Sequence, residues 1–162
     1  MANQIYDNLK KGLLNGDIDL LVDPIYVLLT QESNIVLTTS AETLSSVLSF
    51  EYSGTSGTEL TETSGVNYTS GGYLLTNKAV SASDTAGTLF FDADDITISA
   101  SSPPEDTSIT AGSQLLYKRL SPIGSSIPLA FFDYGVPNVT QNHAYKIQWN
   151  SEGIISLETK VT

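Results

Sequence analysis

Three aspartates in the segment "FFDADDITISA" are the first candidates for chemistry in this chain. Asp92, Asp94 and Asp95 lie within four positions, between two phenylalanines and an alternating Ile-Thr-Ile pattern. Loop carboxylates can bind Ca²⁺, but an EF-hand loop starting at Asp92 needs Gly at its sixth position and Glu at its twelfth. Those positions hold Thr97 and Pro103. We therefore interpret the aspartates as polar residues of a turn between two strands, with a looser Ca²⁺ site as the alternative.

Other catalytic patterns find little support in the sequence. His143 is the only histidine and cysteine is absent, which excludes a His-rich or thiolate zinc site. The acidic residues show no spacing that singles out a catalytic pair, and the Gly-Ser segments match neither a nucleophile elbow nor a phosphate loop. His143 is in phase with Tyr145, Ile147 and Trp149, so we expect it in the core or at its rim. We predict a protein that is not an enzyme and uses no cofactor or metal.

Composition limits the partners that this chain can have. The 162 residues include 18 acids and 7 bases, which gives a net charge of -11. Such a surface disfavours binding to a nucleic-acid backbone, and no run approaches the roughly 20 apolar residues of a spanning helix. The first residues show no secretory pattern. We predict one domain over residues 1–162, with neither a nucleic-acid nor a membrane partner.

The elements that would position these residues begin with a short helix within residues 1–16. Ile5, Leu9 and Leu13 share one helical face, and Gly16 is a C-terminal stop. The apolar run from 25 to 29 predicts a central strand covered on both faces. Thr39 has capping-box spacing to the glutamate three residues later, which predicts a second helix over 41–50.

The rest of the chain favours strands. Residues 53–72 are rich in Ser, Thr and Gly and are predicted to form a loop or arm that orders against a partner. Seven or eight short strands separated by turn residues follow from residue 73. The segment "NSEG" (150–153) predicts a hairpin turn. The predicted fold is mainly β, an antiparallel β-sandwich or barrel-like domain with two short helices near the N-terminus.

The order of several motifs resembles a group of small virion proteins of tailed bacteriophages. The resemblance begins in "MANQIYDNLKKGLLNGDIDLLVDPIYVLL". It continues in "YTSGGYLLTNKAVS", "FDADDITIS", "LLYKRL", "PLAFFDYG" and "YKIQWNSEGIISL". It thus covers most of the chain, and the chain departs from it in the long Ser/Thr/Gly stretch at 53–72. In such proteins these motifs belong to strands and turns, which implies that the aspartates are scaffold.

The resemblance implies a non-enzymatic capsid cement, or decoration, protein. Such a protein would be assembled in the host cytoplasm, form a homotrimer and bind the major capsid protein on the head surface of the virion. We expect its interface to include the N-terminal helix and the 53–72 stretch, with Tyr6, Lys10, Tyr52 and Tyr68 as contact residues. A tail tube or head–tail completion protein is one alternative. A virion carbohydrate-binding module, which would use the aromatic residues for stacking, is another.

Overall fold

The computed structural model describes residues 3–33, 37, 39–48, 60–82, 87–99, 107–141 and 143–158. These residues form one α-helix, α1 (Asp7–Asn15), and eleven strands. The strands are β1 (Gln4–Ile5), β2 (Ile25–Thr30), β3 (Gly65–Val66), β4 (Tyr73–Leu74), β5 (Ala79–Ala82), β6 (Thr88–Asp92), β7 (Ile96–Ile98), β8 (Ser108–Lys118), β9 (Ile127–Gln141), β10 (Tyr145–Ile147) and β11 (Ile155–Glu158). The prediction of a mainly β, antiparallel fold is confirmed.

The predicted N-terminal helix is present but shorter than residues 1–16. It ends at Gly16, whose φ of 77° is the left-handed conformation expected of a helix stop. It begins only at Asp7, because Gln4 and Ile5 pair with β9 as a strand. Leu9 is buried and Leu13 partly buried against the core, as predicted, but Ile5, the third residue of the predicted face, lies in β1 and not on the helix.

The second predicted helix, over 41–50, is wrong. In the described part of that segment only Leu44–Ser46 is helical, as a single 3-10 turn. Its capping box runs from Thr43 to Ser46 and does not involve Thr39. The chain is extended again at Leu48, which forms a parallel bridge with Leu60. One turn is enough to bury the apolar side chains of this segment, and the bridge prevents further helical turns.

The largest sheet has the strand order β1-β9-β8-β2-β4, and β3 also pairs with β8. The run from 25 to 29 is a strand with both faces largely covered, as predicted. The middle position, however, belongs to β8, so the prediction that this run is the central strand is wrong. None of the described sheets closes on itself, so no barrel is formed by these residues.

A bulge at Gly112 inverts the alternation of side chains between the two faces of β8. The pairing of β8 with β9 shifts between Ala111 and Ser113. Before the shift, Ile109 and Ala111 lie in one core cluster, and after it Leu116 lies in that same cluster. Because an extra residue inverts the alternation of side chains, odd-numbered residues face one layer before the bulge and the opposite layer after it.

The two faces of this sheet are covered by different layers. One cluster contains Leu28, Leu115 and Phe131, covered by apolar residues from the 37–48 segment and by Leu60. The other contains Val27, Leu29 and Leu116, covered by apolar residues of α1 and of the smaller strands. Those strands form a three-stranded sheet, β11-β6-β5, and a two-stranded sheet, β10-β7.

The predicted hairpin at "NSEG" is correct as a turn and wrong as a pairing. Asn150 and Gly153 form an antiparallel bridge, and Gly153 has a φ of 80°. The strands on either side of it do not pair with each other, since β10 pairs with β7 and β11 pairs with β6. Two bent ribbons therefore lie side by side, with bends at Ala93–Asp95 in one and at 148–154 in the other.

Candidate functional site

The three aspartates lie at the bend between β6 and β7. The Asp94 carboxylate accepts hydrogen bonds from Asn77 Nδ2 at 2.6 Å and Thr76 Oγ1 at 3.3 Å. The backbone N–H of Asp94 donates to the carbonyl of Thr76 at 3.0 Å. Asp94 thus joins the bend to the turn that precedes β5. Asp92, at the end of β6, has a buried Oδ1 that finds no hydrogen-bond partner among the described residues.

Asp95 joins the same bend to the facing ribbon. Its carboxylate accepts a hydrogen bond from the Trp149 backbone N–H at 3.0 Å and pairs with Lys146 Nζ at 3.0 Å. The Trp149 hydrogen bond, followed by Lys146, lowers the pKa of the Asp95 carboxyl. The Trp149 indole N–H donates to the carbonyl of Asp94 at 3.0 Å. These contacts support the interpretation of the aspartates as scaffold. In the described ranges no three acidic or histidine side chains converge as a group that could hold a metal.

His143 lies outside the core. The prediction that His143 packs in the core or at the rim of the core is therefore wrong. It is exposed, whereas Tyr145 and Ile147 are buried as predicted and Trp149 is only partly buried. The alternation fails at His143 because regular strand geometry begins only at Tyr145. The carbonyl of His143 accepts a hydrogen bond from the hydroxyl of Thr107, so its backbone serves the fold.

Two of the predicted interface residues belong to the N-terminal segment: Tyr6 lies directly before α1, and Lys10 lies within it. Tyr6 is 0% exposed and packs in the same cluster as Phe131, so its prediction as a surface contact of this chain is wrong. The reason is its place directly before the helix, where the extended backbone turns the ring inward. Lys10 is exposed as predicted, and its Nζ lies 3.7 Å from Asp7 Oδ1. Tyr52 lies outside the described residues.

The described part of the 53–72 stretch, residues 60–72, belongs to the domain, so the prediction of a partner-dependent arm is wrong for these residues. Leu60 is buried, and the carbonyl of Thr61 accepts a hydrogen bond from Gln31 N–H at 3.0 Å. The Thr63 N–H donates to the carbonyl of Leu29 at 2.8 Å. Residues 61–63 therefore pair with the edge of β2. Sequence reasoning missed this because the pairing partner lies some 30 residues earlier in the chain.

Tyr68, the last predicted interface residue, is engaged within its own domain. Its hydroxyl accepts a hydrogen bond from the Leu29 N–H at 3.1 Å and donates to Glu62 Oε1 at 3.1 Å. Glu62 Oε1 also accepts a hydrogen bond from the Gly71 N–H at 2.6 Å. Burial raises the pKa of the Tyr68 phenol, and the negative charge of Glu62 raises it further. Tyr68 thus supplies a side-chain hydrogen-bond partner to the edge of β2, next to the Thr30–Glu62 bridge. Its role as a partner contact stays a prediction.

A polar cavity lies between β9 and β10, and the sequence analysis did not find it. Its volume is about 200 Å³, and it is lined by Gln114, Tyr134, Asn138, Tyr145, Lys146, Ile147 and Gln148. The Tyr134 hydroxyl donates to Gln114 Oε1 at 2.9 Å. In the sequence, Gln114 simply follows Ser113 and precedes two leucines of the strand. Its hydrogen-bond partner Tyr134 is 20 residues away, on β9.

Comparisons with known proteins identify no relative of this chain. No protein family matches it, and no curated protein and no solved structure resembles it at a significant level. In the part of the chain that the structure describes, no helix has the length and apolar character required to span a bilayer. The function is therefore inferred from the residues of the chain and from its surface.

Proposed function

We propose that this chain is a capsid cement protein that binds the outer surface of a tailed-phage head and stabilises it. The observation that carries the proposal is the ordered series of motifs that resembles small phage virion proteins. Those motifs coincide with elements of the described fold: the first spans α1 and β2, and the last spans β10 and β11. A shared series of strands and turns supports a shared architecture, in which the aspartates have a structural role.

The layered packing is consistent with this type of domain. The β11-β6-β5 sheet and the β10-β7 ribbon contribute apolar residues to the core cluster on one face of the largest sheet. We propose that this arrangement is a distorted antiparallel sandwich. A compact acidic domain of this kind remains soluble before assembly and can add to a shell after the shell has formed.

We propose that one face of α1 contributes to the contact with the shell or with a second copy. Lys10 and Leu14 are four residues apart and so lie on the same helical face. Leu14 is 88% exposed, although it belongs to a short helix that packs its opposite side against the core. An exposed leucine beside a lysine can bury apolar area against a partner and pair with an acidic group. Leu14 therefore replaces Tyr6 in the proposed interface.

The proposal predicts where the chain lies in the virion. A cryo-electron-microscopy map of the purified virion should show this domain on the outside of the head, as trimers. Density in the tail tube or at the head–tail junction would support the alternative role as a tube or completion protein and would overturn the cement proposal.

Binding experiments test the proposed surface. Leu14→Glu should weaken co-sedimentation of the protein with capsids of the major capsid protein by about tenfold or more. Val80→Glu, which changes another exposed apolar residue, on β5, is the matched control. Equal binding by both variants, with folding intact by circular dichroism, would place the contact elsewhere.

A further inference from the structure

The polar cavity between β9 and β10 has the construction of a ligand site. It opens along β10, which pairs with β7 on one edge only in the described part of the chain. The residues on its walls come from three separate strands, so the fold holds them in fixed positions. Concave sites that combine aromatic rings with a few convergent polar groups are the usual form of a small-molecule site.

The central feature of the cavity is the Gln114 amide. Gln114 is only 6% exposed, and it lines the cavity. Its Oε1 accepts the hydrogen bond from the Tyr134 hydroxyl, which fixes the position of the amide in the cavity wall. An amide has an NH2 group with two donors as well as an oxygen acceptor, so a ligand in the cavity can bond to the end that Tyr134 does not use.

Further polar groups line the cavity around Gln114. The Tyr134 hydroxyl is bonded to Gln114, and Tyr145 and Asn138 line the same cavity. Burial raises the pKa of both phenols above the ordinary value, so they stay protonated and neutral under physiological conditions. The cavity therefore presents hydroxyl and amide groups, each of which can donate and accept hydrogen bonds.

The charge of the cavity favours a neutral ligand. Among the described lining residues, the one charged side chain is that of Lys146, whose ammonium group is already paired with Asp95 at 3.0 Å. No carboxylate is found among these lining residues, which disfavours a cation. The net charge of -11 disfavours an anion. Its volume is below the roughly 300 Å³ at which drug-sized sites begin, which limits the ligand to a single small ring.

We propose that this cavity binds one neutral monosaccharide unit, either free or at the end of a glycan. The hydroxyls of the sugar would complete the hydrogen bonds of Gln114, Tyr134, Tyr145 and Asn138, and the tyrosine rings would contact its apolar face. The proposal is independent of the virion role, because a sugar site can be present whether or not the protein binds a capsid.

The test uses the intact protein and titrations with glucose, galactose and N-acetylglucosamine, followed by two-dimensional amide NMR. At least one sugar should shift the amide signals of residues 114, 134, 138 and 145 in a saturable way. Glucuronate, which is negatively charged, should bind at least about tenfold more weakly than the best neutral sugar. Saturable shifts with an oligosaccharide ending in that sugar would distinguish a glycan terminus from a free sugar as the ligand.

Two variants assign the binding to the cavity. Gln114→Leu should weaken binding of the best sugar by about tenfold or more. Tyr145→Phe, which keeps the ring and removes the hydroxyl, should also weaken binding. Tyr73→Phe removes a phenol hydroxyl that is not part of the cavity lining, and this variant should bind the sugar as the unchanged protein does. If Gln114→Leu fails to fold, the comparison of Tyr145→Phe with the control variant decides whether the sugar binds in the cavity. The proposal is overturned if no sugar shifts these signals, or if both cavity variants bind as well as the control.

Discussion

The phenol of Tyr68 offers a direct test of how the 60–72 segment is attached to the sheet. Tyr68→Phe keeps the ring and removes only the hydroxyl, so packing against the core cluster is preserved. The change leaves the N–H of Leu29 without its hydrogen-bond acceptor. Leu29 is 0% exposed, so water cannot readily replace the lost partner.

The magnitude follows from those contacts. A buried backbone N–H left unpaired costs about 1–3 kcal/mol. The bond that Tyr68 donates to Glu62 is also lost, but that carboxylate keeps the N–H of Gly71 at 2.6 Å and the hydroxyl of Ser70 at 3.3 Å. The second loss should therefore be small. We expect Tyr68→Phe to reduce the free energy of unfolding by about 2 kcal/mol.

Tyr73→Phe is the matched control for this experiment. The Tyr73 ring packs edge-on against Tyr68, with centroids 5.8 Å apart. Its hydroxyl also accepts one backbone N–H, from Thr69 at 3.0 Å, and donates to the carbonyl of Asn67 at 3.1 Å. Both of these bonds are exposed, so water can replace the hydroxyl and the loss should stay within about 0.5 kcal/mol.

The assay is equilibrium unfolding in urea, followed by the fluorescence of Trp149, the only tryptophan of the sequence. Both variants should show the slope of the unchanged protein, because neither alters the area exposed on unfolding. If the two variants lose the same free energy, or if Tyr68→Phe loses less than about 0.5 kcal/mol, the Tyr68 hydroxyl does not hold the segment to β2.

Three further changes test other parts of the fold. Gly112→Ala should lower the free energy of unfolding in urea by about 3 kcal/mol or more, because a Cβ there would lie 2.4 Å from two backbone carbonyl oxygens. Gly124→Ala is the control and should be near neutral, because the nearest atom to its Cβ would be 3.5 Å away. Burial raises the pKa of Tyr117 to about 12, so the folded state keeps a proton that the unfolded chain releases near pH 10. The free energy of unfolding should therefore fall between about pH 10 and 12, and less steeply in Tyr117→Phe. Burial opposes ionisation of Asp23, but the hydrogen bonds from Lys118 and from the Asp19 backbone, together with the charges of Lys118 and Lys78, leave its pKa lowered. The stabilisation is therefore present above the ordinary value of 3.8 and lost as the pH falls below it. Lys118→Met should flatten the acid limb of a stability profile measured across that range, and an unchanged limb would contradict the assignment.

Local patterns in the sequence predicted the type and position of most elements. The run of apolar residues at 25–29 and the alternation at Tyr145 and Ile147 correspond to β2 and β10. Gly16 ends α1 because a left-handed residue is needed there, and this requirement depends only on neighbours in the chain. Such features are visible in the sequence because their causes are local.

Features that depend on distant partners could not be predicted in the same way. The turn at Asn150–Gly153 is local, but the bends of two ribbons decide that β10 pairs with β7 instead of β11. Tyr68 carries a polar tip on an apolar ring, so its sequence position fits an exposed contact as well as an internal one. Its hydroxyl reaches a backbone group 39 residues away, which no short pattern records.

The candidate cavity was missed for a related reason. Gln114 follows Ser113 and precedes two leucines, a pattern that does not distinguish a site residue from an ordinary polar residue of a strand. Its meaning depends on Tyr134 and Tyr145, which approach it only after three strands have been placed. The sequence gives the residue types of such a site but not their convergence.

The bridge between Leu48 and Leu60 has a consequence for engineering the protein. Both leucines are 1% exposed, and the Leu60 N–H donates to the carbonyl of Val47 at 2.9 Å. Residues 48 and 60 are therefore adjacent in the core. The entropy of bringing two points of a chain together grows slowly with the length between them, by about 0.6 kcal/mol for each doubling. A peptide or small tag inserted between these two residues should therefore leave the bridge in place, which makes this position suited to carrying foreign sequences.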